Sequence, residues 1–120
     1  MTHRRADRVA DLLRAEVAAL ILRDLKDPRV GMVTITAVEM TDDLKHARVF
    51  FSAVGTDEVR QRCLRGLQSA AGFIRREVAR RLQLRYAPDI SFRLDAAPER
   101  AQRLSELLHS ANESGDDGEG

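Results

Sequence analysis

The chain has 120 residues and a formal net charge of +1. That length suits one domain, with a core large enough to fold without staples. Its single cysteine, Cys63, excludes an internal disulfide, no apolar run approaches the roughly 20 residues of a membrane span, and the charged start MTHRRADRVADLL lacks the apolar centre of a secretion signal. A reducing, cytoplasmic setting is therefore expected.

Residues 4–25 read as a helix. Val9, Leu12, Leu13, Val17, Leu20 and Ile21 recur at three- and four-residue spacing and form one apolar stripe. Pro28 disfavours helical geometry at Asp27, so the helix should end by about Lys26 and KDPRVG (26–31) should turn. MVTITAVEM (32–40) and HARVFFSAV (46–54) are rich in β-branched residues and alternate in part. Between them TDDLK (41–45) carries turn chemistry, which predicts a hairpin. Thr56 or Asp57 can cap a helix over 57–84, with Cys63, Leu67, Ala70, Ile74, Val78 and Leu82 facing inward. Tyr86-Ala87-Pro88 breaks that helix. DISFRLDA (89–96) alternates as a half-buried strand, and Pro98 can open a short helix bearing Ala101, Leu104, Leu107 and Leu108. Residues 111–120 are small and acidic, and are expected to form a disordered tail beyond a single domain of residues 1–110. The fold class expected is α+β, with a three-stranded mixed sheet. The hairpin supplies the antiparallel pair, and the long helical crossover brings the last strand in parallel.

The near-neutral total hides an asymmetry. The last eight residues hold four acids and no base, so residues 1–112 carry +5. Residues 60–85 hold eight arginines against one acid, Glu77, a net of +7. A face kept only for solubility mixes both signs, so this clustering points to a polyanion. On an ideal helix Arg62, Arg65, Arg76 and Arg80 lie opposite the apolar stripe, with Arg75 on its flank. Arg81 turns toward the apolar side, so either it snorkels or the helix changes phase near Gly72. Gly72 itself is anomalous, because a glycine inside a helix costs about 1 kcal/mol relative to alanine.

Catalytic patterns are missing from the sequence. His3, His46 and His109 are scattered, no H-E-x-x-H or phosphate-cradling glycine loop occurs, and Cys63 falls on an apolar stripe as a buried thiol. Asp42 and Asp43 are adjacent in a turn, where turn chemistry explains them better than a metal does. Phe50 and Phe51, adjacent in a strand, point to opposite faces and make a poor base-reading platform. No cofactor and no metal are expected.

Three stretches carry a family resemblance: RVADLLRAEVAALILRDLKDPRVGMVTIT (8–36), TDDLKHARVFFS (41–52) and SAAGFIRREVARRLQLRYAPDISFRLD (69–95). Together they resemble the ribosome-binding factor A family of bacterial small-subunit assembly factors. The resemblance implies a type II KH-like fold in which a helix–kink–helix, here at Ala70-Ala71-Gly72, replaces the usual GXXG loop. It implies a monomeric, non-enzymatic protein that binds the free 30S subunit and precursor 16S rRNA. It further implies a part in late maturation, including processing of the rRNA 5′ end, and in growth in the cold. The candidate RNA-binding residues are Arg62, Arg65, Arg75, Arg76, Arg80 and Arg81. Two other readings compete. A general KH-type RNA binder would lack dedication to the ribosome, and an rRNA-processing nuclease would need an acid or histidine cluster that the sequence does not display.

Overall fold

The structure, a computed structural model, describes residues 5–95. The element order is α1 (Arg5–Arg23), β1 (Val33–Met40), β2 (His46–Ala53), α2 (Asp57–Arg81) and β3 (Asp89–Leu94). The short helix expected after Pro98 and the tail expected at 111–120 lie outside the described residues.

α1 forms because Ala6, Val9, Ala10, Leu13, Val17 and Leu20 bury one continuous stripe. It closes where the Leu20 carbonyl accepts from the backbone N–H groups of both Asp24 and Leu25, ahead of Pro28. The hairpin turn is set by Asp43, whose Oδ1 accepts from the Thr41 hydroxyl at 2.7 Å and from the Lys45 backbone N–H at 3.0 Å. These bonds, led by that of the Thr41 hydroxyl, hold the Asp43 carboxyl below its ordinary pKa.

The sheet has the order β1-β2-β3, with β1 and β2 antiparallel and β2 and β3 parallel. Its register explains the imperfect alternation of MVTITAVEM. Val33 and Ile35 share one parity, whereas Val38 and Met40 share the other. A β-bulge between Ile35 and Ala37 places Thr36 as the extra residue. All four apolar side chains therefore reach the same face. On that face Ile35, Ala47, Val49, Phe51 and Phe92 pack against Leu13, Val17 and Leu20 of α1 and against Cys63, Leu67, Ile74 and Val78 of α2. Phe51 and Phe92 meet edge to face, with ring centroids 6.5 Å apart.

Both helices thus cover one side of the sheet. The opposite side carries Arg48, Ser91 and Arg93, all exposed, and half-buried Phe50. The adjacent phenylalanines do point apart, and Phe51 is the buried one. This α+β arrangement has the element order expected of a type II KH-like domain. Helix α2 runs unbroken for 25 residues from Asp57 to Arg81 with Ala70, Ala71 and Gly72 inside it, so the expected interruption is not a break in the element. Cys63 and Leu67 before the glycine, and Ile74 and Val78 after it, are buried in one phase. Packing of that stripe outweighs the poor helix propensity of a single glycine.

Candidate nucleic-acid interface

Thr56 starts α2 by accepting the Val59 backbone N–H on its hydroxyl at 3.2 Å. Because the apolar stripe of α2 faces the sheet, the residues opposite it face outward. Arg62, Arg65, Ser69, Gly72, Phe73, Arg76 and Arg80 follow one another at intervals of one, three and four along that outer face, and all are exposed. Arg75 is exposed on the flank. The arginines thus bracket a short central step made of Ser69, Gly72 and Phe73. Gly72 leaves backbone open there: a Cβ added to it would meet only the Arg76 guanidinium, at 3.5 Å. Its φ is not in the left-handed region, and Gly55 is the only described glycine that has a positive φ.

The six candidate arginines separate into two groups. Arg65, Arg75 and Arg76 make no ion pair with any described residue, and Arg62 contributes only a through-space attraction to Asp27. Arg80 and Arg81 are engaged. Arg80 donates to Glu77 Oε1 at 2.6 Å, although its side chain is still 68% exposed. Arg81 reaches back to α1, donating to Glu16 Oε2 at 3.2 Å and to Asp24 Oδ2 at 3.1 Å, with Glu77 3.6 Å from its Nε. The hydrogen bond to Glu16, ahead of that to Asp24, raises the Arg81 pKa further. The bond from Arg80 holds the Glu77 carboxyl below its ordinary value.

Arg81 therefore does not mark a change of helix phase; its guanidinium reaches from the inward side of α2 to the carboxylates of Glu16 in α1 and of Asp24 just after it. It straps α1 to α2. Its position on the inward side was legible in the sequence, but its partners were not, because Glu16 and Asp24 lie far away along the chain. The count of eight arginines against one acid also missed these cross-helix carboxylates.

A second contact escaped the sequence reading. The loop 26–31 closes over α2 at Gly66, which is buried. A Cβ there would lie 2.8 Å from Val30 Cγ2 and 3.2 Å from Arg29 Cβ. The loop is held in shape by Asp27, which accepts from the Arg29 backbone N–H at 2.9 Å and from its guanidinium at 3.0 and 2.7 Å. The side-chain bond from Arg29, then the backbone bond, lowers the Asp27 pKa from 3.8 to about 2. The loop thus packs on α2 at Gly66, next in sequence to Arg65.

Cys63 is buried and unpaired. His46 is exposed on β2, 3.6 Å from Asp89 in the directly opposite position of β3. His3 and His109 lie outside the described residues. Among the described residues no three histidine, cysteine or carboxylate side chains gather as a metal site, and no helix is long and apolar enough to cross a membrane.

A family model described as ribosome-binding factor A matches residues 5–108. The chain belongs to the ribosome-binding factor A family. A relative in Desulforamulus reducens is 48% identical over 112 residues, covering 93% of this chain and 92% of the relative. One in Syntrophobacter fumaroxidans is 51% identical over 110 residues, covering 90% and 94%. Among solved structures, the crystal structure of ribosome-binding factor A from Thermus thermophilus superposes with a TM-score of 0.65 at 27% identity, covering 74% of this chain and 94% of that one. A homology model of the Thermus thermophilus factor, fitted into a cryo-EM map of a 30S–RbfA complex, gives a TM-score of 0.55 at 28% identity, covering 75% and 90%. The family is one of ribosome-binding factors, not of enzymes.

Proposed function

We propose that this protein binds the free, immature 30S subunit through the outer face of α2 and promotes late maturation of 16S rRNA, including processing at its 5′ end. The observation that carries this reading is the set of arginines that make no ion pair with a described residue, Arg65, Arg75 and Arg76, joined by Arg62 on the same helix. They supply positive charge that no described carboxylate neutralises. A guanidinium grips phosphate oxygens in bidentate fashion, and each phosphate neutralised releases counterions. The exposed Gly72 between Arg65 and Arg76 admits close approach of a backbone.

A binder without catalysis drives assembly by holding one rRNA conformation better than another. In this reading the protein acts as a cytoplasmic monomer and matters most in the cold, when misfolded rRNA escapes slowly. The fit of a Thermus thermophilus relative into a 30S complex supports the choice of partner. Sucrose-gradient co-sedimentation is the test. The protein should travel with free 30S subunits and be depleted from polysomes. Equal spread over polysomes and bulk mRNA would replace this reading with that of a general RNA binder.

A further inference from the structure

At the end of the domain where α2 hands over to β3, a groove of about 710 Å³ opens between the hairpin turn and the segment 84–87. Its volume lies within the roughly 300–1,000 Å³ range of small-ligand sites. Arg5, Lys45 and Arg85 line it, together with Tyr86. None of the three cations makes an ion pair with a described residue. Two carboxylates, Asp43 and Asp89, also line the wall, so the three cations leave the groove with a formal charge of +1. Asp43 accepts bonds within its own turn, and Asp89 faces His46.

Tyr86 is 74% exposed, far more than Phe73 at 38%. A tyrosine ring set in the open beside cations presents a stacking face, not a core contact. The groove is also preformed. The Asp89 backbone N–H donates to the Lys45 carbonyl at 2.8 Å, tying the hairpin turn to the Tyr86 segment. Buried Pro88 stiffens the same segment. The two described non-glycine residues with positive φ, Leu44 at 63° and Gln83 at 55°, both lie here, Leu44 in this groove and Gln83 in the one adjoining it. Such conformations are costly, and they persist where the surroundings impose them.

We propose that this groove binds an unpaired RNA nucleotide, with its base stacked on Tyr86 and the flanking phosphates held by Arg5, Lys45 and Arg85. The inference rests on the reading of the chain as an rRNA binder, but it concerns a site separate from the arginine face of α2. Duplex RNA keeps its bases stacked on one another, so the groove selects single strands.

Fluorescence-anisotropy titration of the full chain with a labelled unpaired RNA of about 10 nucleotides, and with a duplex of equal length, tests this. Tyr86→Ala should weaken single-strand binding about tenfold, the size expected for loss of one base–aromatic stack, and should leave duplex binding unchanged. Tyr86→Phe should stay near wild type, because it keeps the ring. Arg85→Gln should lower the magnitude of the log–log salt slope by about 0.7 on the single strand. Thermal midpoints of all three variants should match wild type, since both side chains are exposed. Wild-type affinity in Tyr86→Ala, or equal loss on single strand and duplex, would overturn the proposal. So would unchanged single-strand binding accompanied by lost 30S co-sedimentation, because the groove would then meet a protein. Failure of the wild-type protein to co-sediment with 30S would instead remove the reading under Proposed function, leaving the oligonucleotide result to judge the groove by itself.

Discussion

Two glycines in one helix have opposite surroundings. Gly66 is buried where the loop 26–31 crosses α2, and an added methyl would press on Val30 and Arg29 at 2.8 and 3.2 Å. Gly72, six residues on, is exposed, and an added methyl would meet one flexible guanidinium at 3.5 Å. Both give up the same helix propensity, about 1 kcal/mol each. At Gly66 the loss is offset by a close helix–loop contact inside the molecule. At Gly72 nothing among the described residues requires it, which fits the proposal that a partner's backbone approaches this step. Internal packing accounts for Gly66, and the proposed 30S contact would account for Gly72.

The largest effect expected belongs to the proposed 30S contact. Replacing Arg62, Arg65, Arg75 and Arg76 together by glutamine should sharply weaken 30S binding and reduce the magnitude of its salt slope by roughly 3, as expected for four lost phosphate contacts. The thermal midpoint should hardly move, because these side chains stand outside the core. Arg81→Gln should do the reverse. It leaves Glu16 and Asp24 without their α2 partner, so the thermal midpoint should fall slightly, as solvent screening keeps such pairs weak, while the salt slope stays near wild type. A variant of Arg81 that lost binding without losing stability would merge the two groups of arginines and break the contrast.

Gly66→Ala should destabilise the fold by about 1 kcal/mol. Overpacking costs about 1–3 kcal/mol and the gain in helix propensity returns about 1. Chemical denaturation of the variant measures it, and a thermal midpoint lowered by about 4–8 °C per kcal/mol accompanies it for a domain of this size. An unchanged midpoint would mean that the loop shifts freely and that Gly66 is no more constrained than Gly72. The same loop predicts an acid response. The Asp27 carboxyl is lowered to about 2, so its stabilising contribution is complete above its ordinary value of 3.8 and is lost as pH falls through about 2. Asp27→Asn should therefore be less stable than wild type at pH 6. The gap should narrow as urea unfolding is repeated toward pH 2, and a constant gap would remove the ion pair from the account.

Much of this was legible in the sequence, and the exceptions share a cause. The stripe of α1, the Thr56 cap, the Asp43 turn and the parallel return of β3 follow from local spacing and chain connectivity. The bulge at Thr36 was visible as a slip of alternation in MVTITAVEM, although slippage by itself did not give its position. What stayed hidden depended on residues distant in sequence. Nothing near Gly66 announces that Val30 will lie against it. Nothing near Arg81 announces Glu16. Charge counted in a linear window treats every arginine as free, whereas the fold decides which of them find carboxylates on a neighbouring helix.

The smallest and most discriminating change is Gly72→Ala. The glycine sits in an intact helix with no positive φ and with room for a methyl, so alanine should stabilise the protein by about 0.4–1 kcal/mol through lower unfolded-state entropy and better helix propensity. Its cost should appear only on binding. A methyl between Arg65 and Arg76 holds an RNA backbone farther from the helix and weakens each phosphate contact beside it. Gly72→Leu should weaken 30S binding further while remaining folded, because the side chain points to solvent in the free protein. Gly66→Leu, with the same added volume, should fail on stability first. Denaturation curves and gradient co-sedimentation on the four glycine variants separate the two positions completely. If Gly72→Ala and Gly72→Leu both bind 30S subunits as wild type does, no backbone approaches this step, and the arginines act as charges on a surface that needs no glycine.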